Sequence, residues 1–319
     1  MNEEDLRWLL PYEEEYRRDP RAASEDLRYL GTWRETHPQA AFFYYDNACR
    51  GNLADLQRAQ LLCLDEFARI CEKTGVTWFL GGGTLLGAIR HGGFIPWDDD
   101  VDVMMDRPNY ERFSETVLRE LRPEFFYQSV WTDPDYHYPF DKLRLRGEAF
   151  AAEFPGRFPM PEQGVFADLF IHDRTAAGPL LQKCHLYQTL LARSLVFHKW
   201  EGTPMQFYGR LPLLCRAATW WKDRRSMQAL ERRQERAITK YRNRQTGRLY
   251  DGTGRHLRHG AFPEEWLSGG RTALFEGREF PVPREAEKYL EFSYGPDWQK
   301  LPPPQERKAE HQQAGGVLG

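Results

Sequence analysis

The sequence predicts an α/β (α+β) protein, and three observations carry that expectation. An amphipathic run, NLADLQRAQLLCLDEFARICEKTG, feeds a short β-branched and aromatic run, VTWFL. A glycine cluster, Gly81 to Gly83, then precedes aspartates that alternate with valine, DDDVDV from Asp98 to Val103. A later apolar run, GVFADLFIHD, sets Asp168 among strand-forming residues. At 319 residues the chain can bury a core large enough for a deep site, in one large domain or two modest ones.

Residues 1 to 50 are charged and aromatic and are expected to form an N-terminal helical extension. From 51 to 175 the pattern reads as the catalytic core. Leu56, Cys63, Phe67 and Ile70 share helical spacing between an Asn52 cap and Gly75. Val76 to Leu80 read as a strand ended by the glycines, and LLGAIR could begin a helix. RPNYERFSETVLREL restarts a helix, and FDKLRLRG alternates as a strand with Lys142, Arg144 and Arg146 on one side. Residues 176 to 250 read as a helical, basic insertion, and 251 to 319 as short strands and a helix that complete the core before a proline-rich end.

Charge is nearly balanced at a formal net of −3, so no overall basic field points to nucleic acid and none is expected as a partner. The five cysteines are scattered without a C-x-x-C pair, which suggests reduced thiols and neither a disulfide framework nor a zinc site. The acidic start lacks the pattern of a signal peptide. The most apolar stretch, LYQTLLARSLVF, is interrupted by Gln188, Arg193 and Ser194 and falls short of a bilayer span. A cytoplasmic protein is therefore expected, and its basic Arg224 to Arg244 stretch, with Trp220 and Trp221 before it, either lies at the inner face of a membrane or forms a solvated helix face.

On a strand, Asp98, Asp100 and Asp102 would share one face while Asp99, Val101 and Val103 take the other. Carboxylates so close repel when buried, and a divalent cation resolves the conflict; oxygen ligands favour Mg2+ or Mn2+. An EF-hand is excluded by Val103 at its sixth position and Asn109 at its twelfth. Charge runs are ordinarily solvated, but Phe94, Ile95, Trp97, Val101 and Val103 make full exposure costly here and point to a site. Consecutive glycines after a strand allow backbone N–H groups to approach phosphate, although neither a P-loop nor a dinucleotide fingerprint fits.

Together, GGGTLLGAIRHGGFIPWDDDVDV, KLRLRG, VFADLFIHD and the closing LFEGREFPVPREAEKYLEFSYGPDWQKLPPP resemble the LicD and fukutin-related family of phosphotransferases, of nucleotidyltransferase fold. The resemblance implies a nucleotidyltransferase-like mixed sheet flanked by helices. It implies metal ligands at Asp100 and Asp102, a third acid at Asp168, and a diphosphate cradle at Gly82, Gly83 and Thr84. Asp98 would contribute to the metal through a water, and Lys142 and Arg144 either pair with donor phosphates or form a solvated strand face. Where the family often reads DIFPLD this chain reads DLFIHD, and His172 is given no role.

The implied reaction is Mg2+-dependent transfer of a phospho-alcohol, such as phosphocholine or a polyol phosphate, from a CDP-alcohol donor to a glycan acceptor or its lipid-linked precursor. Asp168 could orient the acceptor hydroxyl. Arg90 and His91 either reach phosphate or brace their loop, and the C-terminal aromatics, Trp266, Phe275, Phe280, Tyr289, Tyr294 and Trp298, either form core or receive a quaternary ammonium. Two other functions fit the same residues. One is a nucleotidyltransferase that moves NMP and releases pyrophosphate; the other is a catalytically silent nucleotide- or glycan-binding protein.

Overall fold

The computed structural model describes residues 42–45, 49–133, 136–146, 164–205, 212–254, 257 and 259–303. Most of the expected N-terminal extension and the proline-rich end lie outside these residues. Where the extension is described, β1 (Phe42–Tyr45) pairs antiparallel with β2 (Cys49–Asn52), a strand pair in place of helix.

The main sheet is mixed. It contains β3 (Phe79–Leu80), β4 (Asp102–Asp106), β5 (Phe125–Gln128), β6 (Asp141–Leu145) and β7 (Phe166–Arg174), in the order β3-β4-β7-β6-β5. β4 and β7 run parallel, and the other neighbours are antiparallel. β8 (Arg248–Asp251) pairs with the far end of β7 and carries β9 (Ala261–Pro263) at its edge.

Strand alternation divides the sheet chemically. Val103, Met105, Leu143, Leu145, Ala167 and Leu169 enter the main core. There α1 (Leu53–Thr74) packs on β6 and β7, and α3 (Arg107–Glu120) packs on β4 and β7. Phe67 of α1 lies 5.1 Å from Trp78 and 4.8 Å from Phe113 of α3, joining both helices in one aromatic layer. α3 starts where the Asp106 carboxylate accepts from the Asn109 N–H at 3.0 Å, with Pro108 in its first turn, where a missing N–H costs nothing. The even-numbered residues of β4, β6 and β7 point to the other face, which carries Asp102, Lys142, Arg144 and Asp168 together with the buried Met104.

α2 (Gly82–His91) follows β3 directly and ends at Gly92, whose φ of 72° supplies the left-handed cap. Past β9, a single 3-10 turn (Glu264–Leu267) leads to a hairpin of β10 (Gly270–Phe275) and β11 (Arg278–Pro283), and then to α7 (Ala286–Tyr294). The hairpin packs on α2 and β3.

The helical segment expected over 176 to 250 forms α4 (Pro179–Trp200), α5 (Pro212–Asp223) and α6 (Met227–Ile238). They share a small core of Leu195, Val196, Met205 and Leu230, flanked by Ala218, Trp221 and Met227. The buried Lys222 ammonium donates to the carbonyls of His198 and Thr203 at 3.0 and 2.7 Å, which ties α5 to the end of α4.

One local expectation changes. The extended segment before β4 is not strand: pairing begins at Asp102, because β3 is only two residues long and the chain then turns into α2. Gln57 and Gln60 of α1 serve in place of a ladder, donating to the carbonyls of Asp98 and Asp99 at 2.9 and 2.7 Å. Alternation nevertheless persists in exposure, with Asp98 and Asp100 half-buried and Asp99 and Val101 fully buried.

Candidate active site

Asp102 opens β4, and the parallel register sets it opposite Asp168 of β7. On the other side of β7, the antiparallel register sets Lys142 of β6 opposite the same Asp168. Three neighbouring strands thus present acid, acid and base in a row, all buried. Lys142 Nζ donates to Asp168 Oδ1 and sits 3.5 Å from the centroid of the Phe166 ring. Burial pulls the Lys142 pKa below the usual ammonium range, Asp168 opposes that fall, Arg144 adds to it, and Asp100 opposes it.

The N-terminus of α2 closes one side of this row. Gly81 supplies no side-chain cap. Instead the Gly83 N–H donates to Asp102 Oδ2 at 3.3 Å, so a carboxylate from another strand satisfies the positive end of the helix. Thr84 Oγ1 accepts from the Asp102 N–H at 2.8 Å, and Gly81 N–H donates to the Asp102 carbonyl at 2.9 Å. Glycine is required at the first helical position on two counts: Gly82 has a φ of 43°, and a Cβ there would overlap the Asp102 carboxylate. At Gly83 a Cβ would stand 2.6 Å from Asp98 Oδ2. The turn expected to cradle a diphosphate is therefore in direct contact with Asp102 and Asp98, and the Thr84 hydroxyl positions Asp102.

Arg144, expected to stand with Lys142, lies on the same side of β6 but is held more deeply. Its guanidinium donates to Gln128 Oε1 at 2.5 Å and to the Gly164 carbonyl at 2.7 Å. Arg90 braces its loop, donating to the carbonyls of Trp298 and Lys300 at 2.9 and 3.3 Å. His172 is buried against Tyr289, with 2.9 Å between its Nε2 and the phenol oxygen.

Two contributors were not legible as such in the sequence. Tyr294, named there only among the C-terminal aromatics, ends α7 and has its phenol pushed above the usual range, first by burial and then by Asp102, Asp98 and Asp100. Because the residue is 40% exposed, the acids are the firmer cause, and they place its hydroxyl in the field of the site. The second is a group of half-buried rings beside Asp168. Phe170 shares its face of β7 and lies 5.1 Å from Phe140; Tyr138 lies 5.3 Å from Phe140 and 5.1 Å from Trp200 at the end of α4. Burial, then Asp168, raises the Tyr138 phenol, with Glu201 acting in the same direction. No local signal joins these residues, since they come from separate elements.

Among the described residues, no three His, Cys, Asp or Glu side chains form a ready-made metal cage. The donor chemistry still suits a hard divalent cation. The acids offer oxygen only, and Asp102 and Asp98 crowd against a glycine turn that leaves backbone N–H groups beside them. Magnesium usually takes one or two carboxylates and completes its shell with water and substrate phosphate.

Known proteins resemble this chain at the level of sequence. The family described as LicD/FKTN/FKRP, nucleotidyltransferase domain, matches residues 75–151, which hold the glycine turn, the aspartate run, β4 and β6. The lipopolysaccharide cholinephosphotransferase LicD of Haemophilus influenzae is 27% identical over 82% of this chain and 98% of its own length. The human ribitol 5-phosphate transferase FKRP is 53% identical over 47 residues, 14% of this chain and 10% of that protein. An uncharacterised protein of Rickettsia prowazekii, RP689, is 36% identical over 18% of this chain and 19% of its own. These likenesses support the LicD/fukutin-related family for this chain, through a nucleotidyltransferase domain over residues 75–151.

Proposed function

We propose that this protein transfers a phospho-alcohol from a CDP-linked donor to a hydroxyl group of a glycan. The observation that carries the reading is the row Asp102, Asp168 and Lys142 on neighbouring strands, closed by the α2 N-terminus. Its likeness to a cholinephosphotransferase and a ribitol 5-phosphate transferase supports the reaction type.

Asp102, Asp168, Asp100 and Asp98 would hold Mg2+ or Mn2+, which when bound supplies positive charge to the donor diphosphate. Lys142, already in the row, supplies a fixed positive group beside the transferred phosphate, and Arg144 behind it adds to the local potential. Thr84 and Gly83 hold Asp102 in place. Asp168 orients the acceptor hydroxyl, whose oxygen forms the new bond to the phosphorus bearing the alcohol. The bond from that phosphorus to the CMP oxygen breaks, and CMP leaves with the electron pair. The hydroxyl proton passes to a carboxylate or to solvent.

The half-buried rings Tyr138, Phe140, Phe170 and Trp200, next to Asp168 and Glu201, favour a cationic alcohol over a polyol. Aromatic faces with nearby carboxylates suit a quaternary ammonium. Phosphocholine is thus the preferred transferred group.

Product analysis tests the proposal. The protein is incubated with Mg2+, a glycan acceptor, and CDP-choline, CDP-ribitol or, in parallel, an NTP, and the released product is identified. Release of CMP with a phosphorylated acceptor supports it. Release of pyrophosphate from an NTP, with no CMP from either donor, assigns the site to nucleotidyl transfer, and no turnover of any nucleotide favours a binding protein.

A further inference from the structure

The helical unit α4 to α6 carries apolar side chains where a helix packed only on a protein core would carry polar ones. On α4 the buried side is formed by His185, Thr189, Ala192, Leu195 and Val196. A second stripe at i, i+4, i+7 and i+11, Leu180, Cys184, Tyr187 and Leu191, faces outward along about 16 Å of helix. Leu180 is 74% and Tyr187 68% exposed. α5 repeats this spacing with Leu213, Ala217 and Trp220, and then reaches Arg224. Leu213 is 76% and Trp220 58% exposed. Scattered exposed leucines need no explanation, but two helically spaced stripes on helices that touch do.

Basic residues border the second stripe. Between residues 212 and 244 there are ten Lys and Arg against three acids, in a chain whose net charge is −3. The Arg224 guanidinium lies 4.0 Å from the centroid of the Trp220 ring, and Arg225 and Arg233 lie 5.0 and 5.3 Å from that of Trp221. Among the described residues, no helix is long and apolar enough to cross a membrane.

We infer that α5 docks on an anionic lipid bilayer, with the outer stripe of α4 as a further apolar face of the same helical unit. Leucine and tryptophan side chains enter the headgroup boundary while Arg216, Arg224 and Arg225 meet lipid phosphates, the division of labour of an interfacial helix. A second copy of this chain fits less well, since an isologous contact would bring the same excess of arginine against itself. A nucleic acid would use the arginines but leave the leucines in water. The helix that carries the outer stripe also reaches the ring group, since Trp200 at the end of α4 packs on Tyr138.

Sedimentation with vesicles tests this inference and needs no turnover. The full chain is mixed with vesicles of phosphatidylcholine alone, or of phosphatidylcholine with phosphatidylglycerol. The variants are Trp220→Ser, Arg224→Gln with Arg225→Gln, and, as a control on the β10–β11 hairpin, the exposed Leu274→Ser. The expected result is partition at least about tenfold stronger onto the anionic vesicles. It falls about tenfold in the double arginine variant, falls in Trp220→Ser, and is unchanged in the hairpin control. All replaced side chains are exposed, and should Trp220→Ser fold poorly the arginine pair still decides. No binding, equal binding to neutral and anionic vesicles, or equal loss in Leu274→Ser overturns the inference. So does a dimer that the substitutions abolish while vesicles go unbound.

Discussion

Asp102 and Asp168 stand opposite one another on parallel strands, and one of them takes a lysine while the other takes a helix N-terminus. Each carboxylate therefore has a different positive partner. That asymmetry separates their roles: Asp102 is tied to the glycine turn, and Asp168 faces the ring group and Lys142.

Asp102→Asn and Asp168→Asn should each lower transfer on the order of 10³-fold, the scale of removing one electrostatic contributor from a closed site. Both replacements keep the side-chain volume, but Asp168→Asn leaves the buried Lys142 ammonium without its carboxylate, so its thermal midpoint should fall more than that of Asp102→Asn. Steady-state CMP release and a melting curve on the same samples check this. Activity within a few-fold of the parent in both variants would remove the acids from the mechanism.

Gly82→Ala should damage both stability and activity. A non-glycine residue in the left-handed region costs roughly 1–2 kcal/mol, and the new Cβ must displace the Asp102 carboxylate. Denaturant unfolding with an activity assay measures both effects. Gly92→Ala makes a useful comparison, since its φ is also positive but a Cβ there meets nothing within 4 Å. It should share the stability loss and keep the activity.

Stability should fall as pH rises from about 4 to about 6, and Asp141 is a cause. Its carboxyl is fully buried, which raises its pKa to about 6, with the hydroxyls of Tyr127 and Tyr110 donating to Oδ2 and opposing the rise. In this window the unfolded chain has lost the proton that the folded protein keeps, so raising the pH favours unfolding. Below the window the effect is absent, and above it the penalty is complete, on the order of 3 kcal/mol. Asp141→Asn should flatten this part of the profile, as read by urea unfolding across the range. An unchanged slope contradicts the assignment.

Replacing rings in the group beside Asp168 should act on donor choice. Tyr138→Ala or Trp200→Leu is expected to raise KM for CDP-choline by about tenfold, the scale of a desolvated cation–π contact, and to leave CDP-ribitol unaffected. Kinetics with both donors read this directly. Equal losses for both donors would mean that the rings only support the fold.

Much of the fold was legible because helical and strand periods are local. The alternation of FDKLRLRG placed Lys142 and Arg144 on one side of β6, and the structure keeps them there. The start of α2 was harder to read. Glycines disfavour helix, so Leu85 looked like the first helical residue, yet carboxylates from Asp102 and Asp98 come against the positive end and α2 begins at Gly82. Pairing between distant strands was not legible either. Nothing near Asp102 or Asp168 specifies their register, and the grip of Gln128 and Gly164 on Arg144 arises from residues 16 and 20 positions away. The ring group is the extreme case, assembled from the loop before β6, the strand β7 and the last residue of α4.

The most direct measurement is calorimetric titration of CDP-choline into the protein with and without Mg2+, repeated with Asp102→Asn. The account predicts binding that requires the metal and is lost in the variant. Metal-independent binding of equal strength in both proteins, or no binding of any cytidine nucleotide, would contradict it.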